Sequence, residues 1–123
     1  MIEMSVKIVR KDEAKVKTIL GGPIRVYATP ETVGSKNIVF VLGSFKPGEG
    51  LVPHDHPESE EIYHVIEGNG TVYAGEEKKE IPIESGIVLY IPAGVQHHVK
   101  NTGNETLVIG FSLSPGTEEA REH

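Results

Sequence analysis

The chain has 123 residues, a length that fits one domain. Hydrophobic residues make up 37% and charged residues 24%, enough apolar material for a packed interior and too little net charge for a disordered chain. The formal charge of −6, with lysines and arginines scattered apart from a group at Arg10, Lys11, Lys15 and Lys17, argues against a nucleic-acid partner, and the lack of cysteine excludes disulfides and thiolate metal sites. The first residues, MIEMSVKIVRKDEAKVK, hold no apolar run of signal-peptide length, and no stretch of about eighteen apolar residues occurs, so a cytoplasmic protein without a membrane partner is expected.

In chain order, short β-branched and aromatic segments alternate with Gly, Pro, Asn and Ser at intervals of roughly eight to twelve residues, the pattern of an all-β sandwich or barrel. Strands are predicted at Val6 to Val9, Val16 to Leu20, Ile24 to Ala28, Asn37 to Phe45, Leu51 to His56, Glu61 to Ile66, Gly70 to Ala74, Lys78 to Ile83, Ile87 to Ile91, His97 to Lys100 and Thr106 to Leu113. Helix has almost no room beyond one turn at Asp12 to Lys15. Gly68-Asn69-Gly70, Gly75-Glu76 and Pro92-Ala93-Gly94 carry turn chemistry, so consecutive strands are expected to run antiparallel. One domain is expected over residues 1–113, and 114–123 reads as a polar, flexible tail.

Within this frame, His54-Asp55-His56 puts two imidazoles on one face of an extended strand and Asp55 on the other. Glu61 opens the next strand and can swing a carboxylate back, and His97 follows the Pro92-Ala93-Gly94 turn. Three imidazoles and a carboxylate suit a divalent Mn, Fe, Co, Ni, Cu or Zn ion and suit Mg or Ca poorly. Alone, a His-x-His on a strand is more often surface polarity than a ligand pair.

The surrounding residues change that balance. Gly48, His54, His56, Glu61 and Gly68 stand at the offsets of the first conserved motif of the cupin superfamily, which the segment resembles at every signature position. Gly86, Pro92, Gly94, His97 and Asn101 likewise resemble the second cupin motif without departure. The resemblance implies that His54, His56, Glu61 and His97 ligate one metal, inside a double-stranded β-helix, or jelly-roll barrel, of the small single-domain kind, commonly a homodimer. The same spacing selects Glu61 over its neighbour Glu60. Asn101 is expected to plug a strand end through backbone hydrogen bonds.

Period-two alternation places Tyr63 on the face of Glu61, where its phenol is either a catalytic hydrogen-bond donor or acid, or a packed core hydroxyl. His64 and His98 fall on the opposite faces of their strands. Alternate members of Phe40, Leu42, Val88, Tyr90, Ile109 and Phe111 are expected to wall an apolar pocket. Arg25 and Tyr27 alternate on an early strand and could reach an anionic substrate at the barrel mouth, against the commoner reading of a solvated arginine. The cupin resemblance leaves the reaction open. A metal-dependent enzyme acting on a sugar, keto acid or carboxylic acid comes first; a non-catalytic module binding a small ligand or metal is the alternative, and a structural metal comes third.

Overall fold

The computed structural model describes residues 5–116 and 119–123. Eleven strands and one short helix follow one another: β1 (Val16–Ile19), β2 (Gly22–Ala28), α1 (Pro30–Val33), β3 (Val39–Phe45), β4 (His54–Asp55), β5 (Glu60–Glu67), β6 (Asn69–Ala74), β7 (Lys79–Glu84), β8 (Val88–Ile91), β9 (His97–Lys100), β10 (Leu107–Ser114) and β11 (Arg121–Glu122). They form a six-stranded sheet ordered β1-β2-β3-β10-β5-β8 and a five-stranded sheet ordered β11-β4-β9-β6-β7. Every named strand pair is antiparallel.

The alternation read from the sequence becomes the core. Along β5, Glu61, Tyr63 and Val65 are buried while Ile62, His64 and Ile66 face out. Leu107, Ile109 and Phe111 of β10 meet them, with Val72 of β6 and Val99 of β9 supplied by the opposite sheet. The Phe111 ring stands edge-on to Tyr63 at 4.6 Å and to Phe45 at 6.4 Å, a preferred aromatic arrangement. Gly43 permits this packing: a Cβ there would lie 2.5 Å from the Phe45 ring.

Asn101 does what its motif position suggests. Its buried side chain donates to the carbonyls of Phe45 (2.9 Å) and Glu105 (2.7 Å) and accepts from the Gly103 amide (2.9 Å), joining the ends of three segments.

Four expectations change. Residues 6–9 form no strand, because no ladder partner meets their backbone, and Val6 and Ile8 stay exposed. The segment predicted from Leu51 to His56 is a strand only at His54–Asp55. Helix α1 is present where none is predicted, set by Pro30 in its first turn and a capping box between Thr29 and Thr32. In the end of the chain expected as a tail, β11 pairs with β4: Arg121 reaches Asp55 by two hydrogen bonds of 3.0 and 2.5 Å, and the His123 amide donates to the Pro53 carbonyl. A buried carboxylate on β4 needs a cation, and the tail brings one. Residues 117–118 of that tail lie outside the described residues.

Candidate metal centre

His54 on β4 and His97 on β9 are direct partners across an antiparallel pair, with ring centroids 4.3 Å apart. His56, just beyond β4, keeps the same facing; its carbonyl accepts from the Gly94 amide, so the glycine turn of the second motif is tied to the first. Glu61 arrives from the other sheet on β5. All four side chains are buried, and one ligand atom of each lies within 4.8 Å of the others.

Hydrogen bonds fix which ring atoms face the cluster. His54 Nδ1 lies 2.7 Å from the Val52 carbonyl and His97 Nδ1 lies 2.8 Å from the Val95 carbonyl. A carbonyl only accepts, so each Nδ1 is the donor, and in the neutral ring the lone pair sits on Nε2, directed inward. Burial first, then the nearby His97, pushes the His54 imidazole down to about 4, which keeps it in the neutral form that metals bind.

His97 Nε2 and His56 Nε2 stand 3.0 and 3.5 Å from Glu61 Oε1. Two ligands at right angles on an ion about 2.1 Å away would stand about 3.0 Å apart, so the spacing fits a common centre. Hard and borderline donors without sulfur fit a transition ion.

Tyr63 is fully buried beside this cluster, its ring 5.7 Å from that of His97, and its hydroxyl meets no hydrogen-bond partner among the described residues. Burial, and secondarily the Glu61 carboxylate, raise the phenol well above its ordinary value, so it stays protonated. His64 is exposed on the outer face, as expected. His98 is also turned away from the cluster, half-buried against Tyr73, with rings stacked at 4.5 Å.

A cavity of about 720 Å³ opens over His54, His56 and Glu61. Its walls include Ile24, Val26, Val41, Leu51 and Phe111; on β3 the inward residue is Val41, and Phe40 and Leu42, expected from the sequence as wall residues, do not line the cavity. Of the six wall residues considered, Ile109 and Phe111 are buried, whereas Val88 and Tyr90 are more than half exposed. Arg25 does not reach the mouth. Its guanidinium is held by the carbonyls of Lys11 (3.0 Å) and Ala14 (2.8 Å), because β2 points Ile24 and Val26 into the cavity and Arg25 away. Tyr27 packs instead on Phe40 at 6.1 Å. The contributions of Glu119, Ala120 and Glu122 to the cavity carry no local sequence signal, since they depend on the chain end folding back.

Known proteins share this design. The family model for the cupin domain matches residues 41–121. The chain is 33% identical over 115 residues to a polyketide synthase protein, CurC, of Streptomyces cyaneus, covering 94% of this chain and 73% of that one. The crystal structure of a predicted oxalate decarboxylase from Thermotoga maritima superposes with a TM-score of 0.76 at 24% identity, over 89% of this chain and 99% of that one. The polyketide cyclase RemF of Streptomyces resistomycificus superposes with a TM-score of 0.80 at 19% identity, over 96% and 85%. Since the family model spans all four of the clustered side chains, and the fold is that of double-stranded β-helix proteins, the chain belongs to the cupin family.

Proposed function

We propose that this cupin is a metal-dependent enzyme in which His54, His56, Glu61 and His97 hold one divalent transition ion and a small oxygen-bearing molecule is the substrate. The observation that carries the reading is the buried three-histidine, one-carboxylate cluster at the floor of an open cavity. The ion supplies Lewis acidity and open coordination positions for substrate oxygens. The chain's own part is to hold the imidazoles through the Val52 and Val95 carbonyls, to exclude water with the apolar walls, and to fix the substrate's orientation. In this reading Tyr63 is the catalytic donor, its hydroxyl kept protonated by burial behind His97 and Glu61. The relatives' names, a polyketide synthase protein and a predicted oxalate decarboxylase, support oxygen-rich substrates and do not choose among sugars, keto acids and carboxylic acids.

Two observations favour a non-catalytic binding module instead: Arg25 points away from the cavity, and Tyr63, the donor of the first reading, lies behind the cluster and not on the cavity wall. Cobalt-loaded protein separates the two readings. In an enzyme that coordinates substrate, a keto acid or diol shifts the cobalt absorption and is consumed; in a binding module the shift occurs without turnover; no cobalt uptake removes both.

Assembly as a homodimer is part of the same proposal. Ile62, Ile66, Val88 and Tyr90 are 42–59% exposed on the outer face of the six-stranded sheet, an apolar surface that a second copy would cover. Sedimentation at twice the 13.4 kDa chain mass is the expected result, and a single 13.4 kDa species would contradict it. Among the described residues no helix is long and apolar enough to cross a membrane.

A further inference from the structure

The walls of the cavity constrain what can enter it, and this inference rests on reading the cavity as the substrate site. A volume of about 720 Å³ lies in the range of pockets that enclose ring-sized organic ligands and is far larger than a two-carbon acid requires. Above the metal cluster the lining is apolar, from Ile24, Val26, Val41, Leu51, Phe111 and Leu113. At the rim stand three carboxylates, Glu31, Glu119 and Glu122, against one ammonium, Lys17, which is the only cationic side chain among the described lining residues.

A charged group on a ligand would fare badly here unless it sat on the metal itself. The metal end can take one anionic oxygen or a pair of oxygens. A second carboxylate further up would be pressed against valine and leucine with no partner, which is costly for a desolvated charge. On the way in it would also pass a rim with more negative than positive charge. We infer that the cavity selects an uncharged, predominantly apolar molecule, such as an aromatic or enolised ring compound, that carries two neighbouring oxygens at one end, and that it rejects diacids long enough to carry a second carboxylate away from the metal.

Two of the three rim carboxylates come from the last residues of the chain. Glu119 and Glu122 lie on either side of Arg121, which anchors β11 to Asp55, the residue between His54 and His56. The rejection of anions is therefore built by the chain end folding back over the barrel, and it is separable from the metal ligands. Neutralising the rim leaves the cluster untouched.

The test uses the full chain, with and without zinc, and follows backbone and methyl resonances by NMR during addition of 2,3-dihydroxynaphthalene or glutarate. The expected result is that the naphthalenediol shifts the methyls of Val26, Val41, Leu51 and Leu113 in zinc-free protein and binds more tightly with zinc. Glutarate is expected to bind the zinc protein at least about tenfold more weakly than the diol, and the triple variant Glu31→Gln, Glu119→Gln, Glu122→Gln to narrow that gap several-fold. Equal or tighter binding of glutarate by the unmodified zinc protein overturns the inference, as does a diol that leaves the wall methyls unmoved in both states. A rim variant that leaves the glutarate affinity unchanged overturns the role given to the carboxylates. Failure of zinc to bind is a different outcome: it removes the proposed metal function, while the zinc-free titration of the wall still decides this one.

Discussion

Replacing Tyr63 with phenylalanine deletes one oxygen from the fully buried interior and leaves the ring that packs edge-on against Phe111 at 4.6 Å. The Tyr63 hydroxyl meets no partner among the described residues, and an unsatisfied buried polar group costs about 1–3 kcal/mol. Tyr63→Phe should therefore stabilise the metal-free protein by about 1–2 kcal/mol, the opposite sign to most core substitutions. For a chain of this size that is about 3–6 °C in Tm per kcal/mol, measurable by thermal or urea unfolding in the presence of chelator. If the hydroxyl serves a bound substrate, the same variant loses turnover in the metal-loaded state while gaining stability in the metal-free one. Destabilisation by 1 kcal/mol or more in the metal-free protein would refute the reasoning, because it would mean the hydroxyl is already satisfied within the fold.

Three further outcomes follow from particular contacts. Asn101→Ala removes a buried side chain bonded to Phe45, Glu105 and Gly103, and should cost about 2–4 kcal/mol in urea unfolding; a loss under 1 kcal/mol would deny the plug its role. Gly43→Ala puts a Cβ 2.5 Å from the Phe45 ring and 2.9 Å from Phe111, and overpacking of this kind should lower stability by about 1–3 kcal/mol. Hydrogen bonds from Arg121, with help from His123, hold the Asp55 carboxyl down at about 2 against an ordinary 3.8. A depressed carboxylate contributes its stability above pH 3.8 and loses it as the pH falls through about 2, so Arg121→Ala should shift the acid-unfolding limb to higher pH. An acid limb that does not move would show that the β11 contact contributes nothing in solution.

The buried cluster of His54, His56, Glu61 and His97 is legible in the sequence because two short-range rules act together. Strand parity puts His54 and His56 on one face, and the motif offsets pick Glu61 and His97 from the other acidic and imidazole groups. The core faces of β5 and β10 are legible for the same reason, since alternation along Glu61, Tyr63 and Val65 survives folding intact. Parity alone does not say which face is inward, and that is why Arg25 differs from its alternative expectation: β2 turns Ile24 and Val26 to the cavity and gives Arg25 to the carbonyls of Lys11 and Ala14. The four-residue helix α1 is too short for any periodicity, although Thr29, Pro30 and Thr32 spell its cap. The chain end is the least legible part, because Arg121 finds Asp55 across 66 residues and nothing local announces the pair.

The central claim is that four side chains from two sheets make one metal site. Elemental analysis of protein purified without added metal, followed by titration with zinc, tests it most directly when the double variant His54→Ala, His97→Ala is run alongside. The unmodified protein should hold about one transition ion per chain, carried from expression or taken up on titration, and the variant should lose that ion with the barrel still folded by circular dichroism. No ion in either protein and no uptake on titration, or equal uptake by both, would contradict it.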